Sequence, residues 1–314
     1  MKVFEKIVLI TRKTRLDELV ERFNTRAQAK FYLEHAGADF ASYVAEHDTY
    51  QRSLELVRRG IEAGLKIQVM DRALVPTYVF SKGDLIVTLG QDGLVANAAK
   101  YAGGQPILAV NPDPERFDGI LLPFQPGTLR PNLARTIAGK APIRIVTLAE
   151  AKLKDGQRLL AFNDLFIGAS SHVSARYRIQ HGARGENHSS SGIIVSTGAG
   201  STGWLSSIFH ETAGILAFLG GPPLSKMAQP VRMSWEDDRL VFVVREPFVS
   251  RHSQATIVAG TIGPNAPLAL ESQMPTGGVI FSDGVEADHL DFNSGAIADI
   301  RIAPEKANLV VSAV

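Results

Sequence analysis

The stretch 84-DLIVTLGQDGLVANAAKY-101 sets the reading of this chain. An apolar run of strand length ends in Gly90-Gln91-Asp92-Gly93, and a helical pattern from about Gly93 to Ala102 follows at once. Glycine at a strand-to-helix corner lets backbone N–H groups come close to a ligand, and the start of a helix carries partial positive charge. Asp92 between the two glycines has three uses open to it: positioning a hydroxyl, holding a metal, or capping the helix. The carboxyl end of a strand in an open α/β sheet is where ligands collect. Capping is the ordinary alternative.

The flanking sequence repeats the same alternation. Lys6–Ile10 (KIVLI) is a short apolar run, and a long helical segment follows it. In that segment Leu16, Leu19, Val20, Phe23, Ala27 and Phe31 fall at helical spacing behind a Thr14/Asp17 capping box. A second helical pattern runs through Tyr43, His47, Tyr50, Leu54, Val57 and Ile61 and stops near Gly64. With KIQVM (66–70) and PILAVN (106–111), short strands alternating with helices predict a mostly parallel sheet covered on both faces, a three-layer α/β domain. After about Pro126 the pattern changes. One short helix (PNLARTIAGKA) leads into IRIVTLAEAKL, RLLAFNDLFIG, SARYRIQ, SGIIVST, RLVFVVRE, QATIVAG, GGVIFSD, ADIRIA and NLVVSAV, with turn signals at Asp155-Gly156 and Asp283-Gly284. Successive short strands predict a second, β-rich domain. The Pro/Gly-rich 123-PFQPGTLRPN-132 serves as the linker, giving an α/β nucleotide-binding domain over 1–127 and a β-rich domain over 128–314. The C-terminal tail is free to pack back on the first domain.

Composition narrows the function classes. Of 314 residues, 45% are hydrophobic and 21% charged, so a buried core is expected and wholesale disorder is not. A net charge of +1 without a long Lys/Arg stripe gives no case for nucleic acid. The absence of cysteine removes disulfides, thiolate zinc sites and cysteine nucleophiles, and fits a reducing compartment. The opening MKVFEKIVLITRKTR holds an apolar run too short for a membrane span and lacks the marks of a secretory signal. The expectation is a cytoplasmic protein with no nucleic-acid or membrane partner.

Three further motifs carry chemistry. In 192-GIIVSTGAGSTGW-204, Gly198, Gly200 and Gly203 match G-x-G-x-x-G after a strand. A dinucleotide fingerprint would place an acid about 20 residues on, at the end of the next strand of a βαβ unit. Here Glu211 comes much too early, TAGILAFLGGPPL after it is not clearly a strand, and the motif lies in the β-rich half. A polar turn bearing Ser196, Thr197, Ser201 and Thr202 still suits a nucleotide, with an ordinary Gly/Ser loop as the alternative. Asn163-Asp164 interrupts an apolar run; the pair can hold a ribose diol or an adenine edge, or can mark a strand-end turn. In 11-TRKTR-15 three cations stand at a helix start, where the helix dipole disfavours them. A bound phosphate would remove that conflict, although a solvated surface is the favoured reading. No P-loop, nucleophile elbow or H-E-x-x-H motif occurs, and His181 and His188 are expected in solvent.

Together these segments resemble the NAD kinase family, most closely the branch typified by the mitochondrial NAD kinase of animals. The resemblance runs from VLITRKTR through GQDG (GGDG in the family) and 110-VNPDPERFDG-119 to 163-NDLFIGASS-171, where the family has Asn-Glu. It continues through 190-SSGIIVSTGAGSTGW-204, whose commoner form is close to STPTGSTAY, to 281-FSDG-284. It implies an N-terminal α/β domain and a C-terminal β-sandwich-like domain. It also implies transfer of the γ-phosphate of ATP to the 2′-hydroxyl of the adenosine ribose of NAD, a divalent metal such as Mg²⁺, and a homo-oligomer, dimer or tetramer. By the same resemblance Asp92 orients the accepting hydroxyl and receives its proton, with Gly90 and Gly93 near the phosphates. Asn163 and Asp164 hold the adenosine portion, and Thr197, Gly200, Ser201 and Thr202 contact base and ribose. The metal ligands are not implied. Gln91, Leu94, Asp164, Ser191 and Gly203-Trp204 depart from the commoner family residues, so the acceptor is less determined than the fold. A kinase for a sugar, nucleoside or lipid, and a nucleotide-binding protein without catalysis, are the alternatives. An oxidoreductase rests on G-x-G-x-x-G alone.

Overall fold

A computed structural model describes residues 4–222 and 233–312. The chain forms two compact units: Met1–Arg144 with Asn308–Val314, and Ile145–Ala307. The division falls later than residue 127, because Leu129 and Leu133 of a helix at Leu129–Ile137 are buried in the core of the first unit.

In the first unit the elements are β1 (Lys6–Thr11), α1 (Arg15–Phe23), α2 (Arg26–His35), α3 (Phe40–Gly60), β2 (Lys66–Asp71), β3 (Asp84–Leu89), α4 (Asp92–Tyr101), β4 (Pro106–Val110) and α5 (Leu129–Ile137). The strands are parallel in the order β2-β1-β3-β4. Strand residues alternate between faces. Ile7, Leu9, Leu85, Val87 and Leu108 join Tyr50, Val57 and Leu129 in one core, while Val8, Ile10 and Ile86, buried equally, face the other way. A sheet covered on both sides is the three-layer α/β arrangement the alternation predicts.

The expected long first helix is two helices. The Thr14/Asp17 capping box forms, but Asn24 closes α1 in the left-handed conformation, and the Thr25 hydroxyl accepts the Gln28 N–H to start α2. The break changes which residues face inward. Ala29 and Leu33 are buried, and Phe31 is 63% exposed.

In the second unit the elements are β5 (Ile143–Leu153), β6 (Arg158–Ala161), β7 (Asp164–Ala169), β8 (Ala175–His181), β9 (Arg184–Ser190), β10 (Ile193–Ser196), α6 (Trp204–Phe218), β11 (Leu240–Val244), β12 (Ala259–Ile262), β13 (Leu268–Ser272), β14 (Gly278–Ser282), β15 (Val285–Asp291) and β16 (Ile297–Val310). One antiparallel sheet runs β12-β11-β10-β7-β14-β15; a second joins β16, β13, β8 and β9, with β5 beside β16 and β6 beside β5. Leu165, Ile167, Val195 and Phe242 from the first sheet share a core with Tyr177, Ile179, Leu270 and Ile300 from the second. Two sheets face to face over one apolar layer make a sandwich. Because β10 sits between antiparallel neighbours, the G-x-G-x-x-G turn does not belong to a βαβ unit. The segment after Glu211 continues α6 to Phe218; its last residues, Pro223 and Leu224, lie outside the described residues. ADIRIA and the start of NLVVSAV, read as two strands, are one: β16 starts in the second unit, and its Asn308 and Leu309 pair in parallel with Pro106 and Ile107 of β4 in the first, while Ala313 and Val314 lie outside the described residues.

Candidate active site

In the first unit, β3 and α4 meet at Gly90–Gly93. The Gly90 N–H donates to the Val110 carbonyl at 3.3 Å, tying the corner to β4. A Cβ at position 90 would stand 2.7 Å from Leu94 Cδ2, so the missing side chain is what lets Leu94 close in. Gly93 differs: its backbone is helical and nothing lies within 4 Å of its absent Cβ. Space around Gly93 is what a close-approaching ligand would use. Gln91 is exposed, so its side chain does not fill the corner.

Asp92 does not cap α4. The cap position is Gln91, whose side chain makes no capping bond, and Asp92 is the first helical residue. Its Oδ1 accepts the Leu121 N–H at 2.6 Å. Leu121 is delivered there by the loop after β4. Asn111, buried, donates to the Phe117 carbonyl at 2.9 Å and accepts the Asp113 N–H at 3.0 Å. Gly119 turns with φ +65°, where a Cβ would stand 2.7 Å from Asn111 Nδ2. The VNPDPERFDG segment is therefore a folded support for the Asp92 carboxylate.

The neighbouring end of β1 holds Arg12. The Tyr50 hydroxyl accepts the Arg12 N–H at 3.0 Å and donates to the Leu89 carbonyl at 3.1 Å, pinning the ends of β1 and β3 to α3. The solvated reading of 11-TRKTR-15 fails at Arg12. Its side chain is only 9% exposed, with Nη2 at 3.2 Å from Glu46 and Nη1 donating to the Lys13 carbonyl. Lys13 does face solvent, paired with Glu21, and Arg15, about half exposed, also pairs with Glu46.

In the second unit the structure gathers the remaining candidates around Asp283. This residue, in the left-handed region at φ +54°, accepts the N–H groups of Phe162 (3.0 Å), Asn163 (2.6 Å) and Asp164 (3.3 Å). Asn163 thus sits at the break between β6 and β7. Its carbonyl accepts the Thr197 N–H at 2.9 Å, and the Thr197 hydroxyl donates to the Phe162 carbonyl at 2.6 Å. Gly200 packs so tightly that a Cβ would stand 2.3 Å from the Asn163 carbonyl oxygen. The Ser201 hydroxyl is turned inward to the Gly198 carbonyl at 2.7 Å. The hydroxyls of Thr197 and Ser201 therefore hold the turn; Thr202 is exposed. One buried oxygen of Asp164 has no hydrogen-bond partner. Burial, above all, raises the Asp164 carboxyl to about 7, against a hydrogen bond from Ser196 that lowers it and with the Asp283 charge adding to the rise. A buried acid with an unfilled acceptor is suited to a hydroxyl or amine donor.

His188, expected in solvent, is buried with Nε2 at 2.6 Å from Glu186. Among the described residues no group of three or more His, Cys, Asp or Glu side chains could hold a metal, and no helix is long and apolar enough to cross a membrane.

No known family model matches the chain. Two curated relatives do: an NAD kinase of Caldanaerobacter subterraneus subsp. tengcongensis, 30% identical over 134 residues (40% of this chain, 46% of the relative), and one of Heliobacterium modesticaldum, 31% identical over 193 residues (55% and 63%). Each match spans less than two thirds of the relative. Among solved structures, yeast NADH kinase complexed with NADH superposes with TM-score 0.58 at 15% identity, covering 98% of this chain and 84% of the other. An NAD kinase from Archaeoglobus fulgidus in complex with ATP superposes with TM-score 0.54 at 16% identity, covering 97% and 93%. The chain has the NAD kinase fold. The local sequence similarity and the similarity of fold are to proteins of one kind, NAD and NADH kinases. Within this NAD kinase fold the sequence reading missed Asp283, which reads as half of a turn signal. Arg12 reads there as one of three cations, with a bound phosphate as the less favoured alternative to a solvated surface.

Proposed function

We propose that this chain is an ATP-dependent NAD kinase. The 2′-oxygen of the adenosine ribose attacks the γ-phosphorus of ATP, a new P–O bond forms, the bond to ADP breaks, and the hydroxyl proton passes to Asp92. The observation that carries this reading is the Asp92 corner: a carboxylate fixed at the first turn of a helix, beside a glycine with open space over it, in a chain similar to NAD kinases in sequence and fold. Phosphoryl transfer needs in-line placement and charge neutralisation more than covalent chemistry. The α4 N-terminus and the open face at Gly93 suit phosphate oxygens. Asn163 and Asp164 are read as holding the adenosine, with Gly200 and Ser201 shaping the turn and Thr197 anchoring it beneath them.

With no cluster among the described residues suited to hold a metal alone, a divalent ion such as Mg²⁺ is read as entering on the phosphates of ATP. Ser191, where the mitochondrial-type branch also lacks the acid found in many members, supports placement in that branch. The resemblance further implies a homo-oligomer, dimer or tetramer, and the cysteine-free composition fits the cytoplasm.

The test is incubation with ATP, Mg²⁺ and NAD, assayed for NADP. Turnover of a sugar, nucleoside or lipid with no NADP would move the acceptor elsewhere. Tight binding of NAD or ATP without product would make this a non-catalytic binder.

A further inference from the structure

We infer that Arg12 is a phosphate-binding residue of the β3–α4 corner, with its Nε–H available for an oxygen of a polyphosphate ligand. The inference rests on the kinase reading only for which phosphate is meant, the ATP chain; the site itself follows from the geometry of the first unit.

The other three nitrogens of Arg12 have assigned partners. Its backbone N–H goes to Tyr50, Nη1 to the Lys13 carbonyl and Nη2 to Glu46, and only Nε is buried without one. A buried N–H left unmade is costly, and such groups call for an explanation. The guanidinium is held in place by the rings of Tyr50 and Phe117, with centroids at 5.5 and 5.9 Å. Arg12 Cδ, one bond from Nε, lies 3.6 Å from where a Gly90 Cβ would be. The free donor is thus beside the start of α4, a helix whose cap residue Gln91 offers its N-terminal amides no side-chain oxygen. An N-terminus without a cap and a cation with a free N–H share one ligand chemistry, a phosphate.

Charge supports the same assignment. Glu46 is buried and paired with both Arg12 and Arg15, so this cluster of two cations and one anion keeps a net positive charge. A strut whose purpose was to tie β1 to α3 would need only one arginine for that carboxylate.

The test is calorimetric titration of the full chain with ATP, with inorganic tripolyphosphate and with NAD, for wild type and for Arg12→Met, Arg12→Lys and Glu46→Gln. Arg12→Met is expected to weaken ATP and tripolyphosphate by about tenfold or more, leaving NAD affinity close to wild type. Glu46→Gln is expected to hold or tighten polyphosphate binding. Should Arg12→Met fail to fold, Arg12→Lys keeps the charge beside Glu46 but lacks the Nε–H, and a several-fold loss at an unchanged melting temperature carries the same conclusion. Unchanged polyphosphate affinity in Arg12→Met or Arg12→Lys overturns the inference, as do equal losses in Arg12→Met and Glu46→Gln. Wild-type protein that binds tripolyphosphate through Arg12 yet makes no NADP would refute the kinase reading and leave this site standing. NADP formation with ATP affinity indifferent to Arg12 would do the reverse.

Discussion

Asp92 Oδ1 and the backbone N–H of Leu121 are 2.6 Å apart, so the acid at the head of α4 is fixed by a loop that follows the next strand. Asparagine at 92 would keep an oxygen in that position and the loop with it, while losing charge and basicity. Asp92→Asn is therefore expected to lower NADP formation by about 10²–10⁴-fold, the usual worth of a general base, with the melting temperature within a few degrees of wild type. Thermal melts beside initial rates check it. Joint loss of fold and activity would make Asp92 a structural anchor instead.

Two glycines separate ligand space from protein space. Gly93→Ala meets nothing within 4 Å and lies in a helix, so it is expected to keep or raise stability by up to about 1 kcal/mol while depressing kcat/KM for ATP. Gly200→Ala would set a Cβ 2.3 Å from the Asn163 carbonyl oxygen and 2.8 Å from Ser196 Oγ, and is expected to cost about 1–3 kcal/mol. Denaturant melts distinguish the two. A destabilised Gly93→Ala protein would contradict the open face described for that residue.

Removing Asp283 leaves three N–H groups around Asn163 without their acceptor. Asp283→Ala is expected to lose about 1–3 kcal/mol and to raise KM for NAD more than KM for ATP. Asp283→Asn retains an acceptor and tolerates φ +54°, so it should lose less. Equal effects on both KM values would argue against a role of this cluster in holding one substrate.

Two buried acids give pH dependences of opposite sign. Asp164, raised in the fold to about 7 from 3.8 chiefly by burial, binds its proton more tightly when folded. Stability should therefore fall as pH rises from about 4 to about 7 and level off above, and Asp164→Asn should abolish that slope and be the more stable protein at pH 8. At Glu186 burial also opposes the charge. Donors from Thr256, Ile257 and His188 outweigh it, lowering this carboxyl to about 2 from 4.5. That stabilisation is complete above about pH 4.5 and is lost as pH falls toward 2, a limb that Glu186→Gln should remove. Denaturant midpoints across this range measure both.

The α/β half was legible because its strands are short apolar runs and its helices carry their own caps; Thr14 with Asp17 is read correctly from four residues. The break at Asn24 was not, since Phe31 keeps helical spacing with residues on the far side of it. Polar strands escaped as well: β9, RGENHSS, is held by pairing with β8 rather than by apolar alternation. At the site, Asp92 and Asn163-Asp164 stand out as acids and amides among apolar residues. Asp283 anchoring Asn163 could not, because its partners lie about 120 residues away. Arg12 is hidden by composition, since only tertiary packing separates it from Lys13 beside it.

The chain leaves the first unit at Arg144 and returns to it at Asn308, inside a single strand. A growing nascent chain therefore emerges with β4 lacking one edge of pairing until Asn308 and Leu309 have been translated. The inserted unit has the chance to complete its sandwich first, and a stop anywhere before Asn308 would leave β4 of the first unit without that pairing as well as cutting the second unit short.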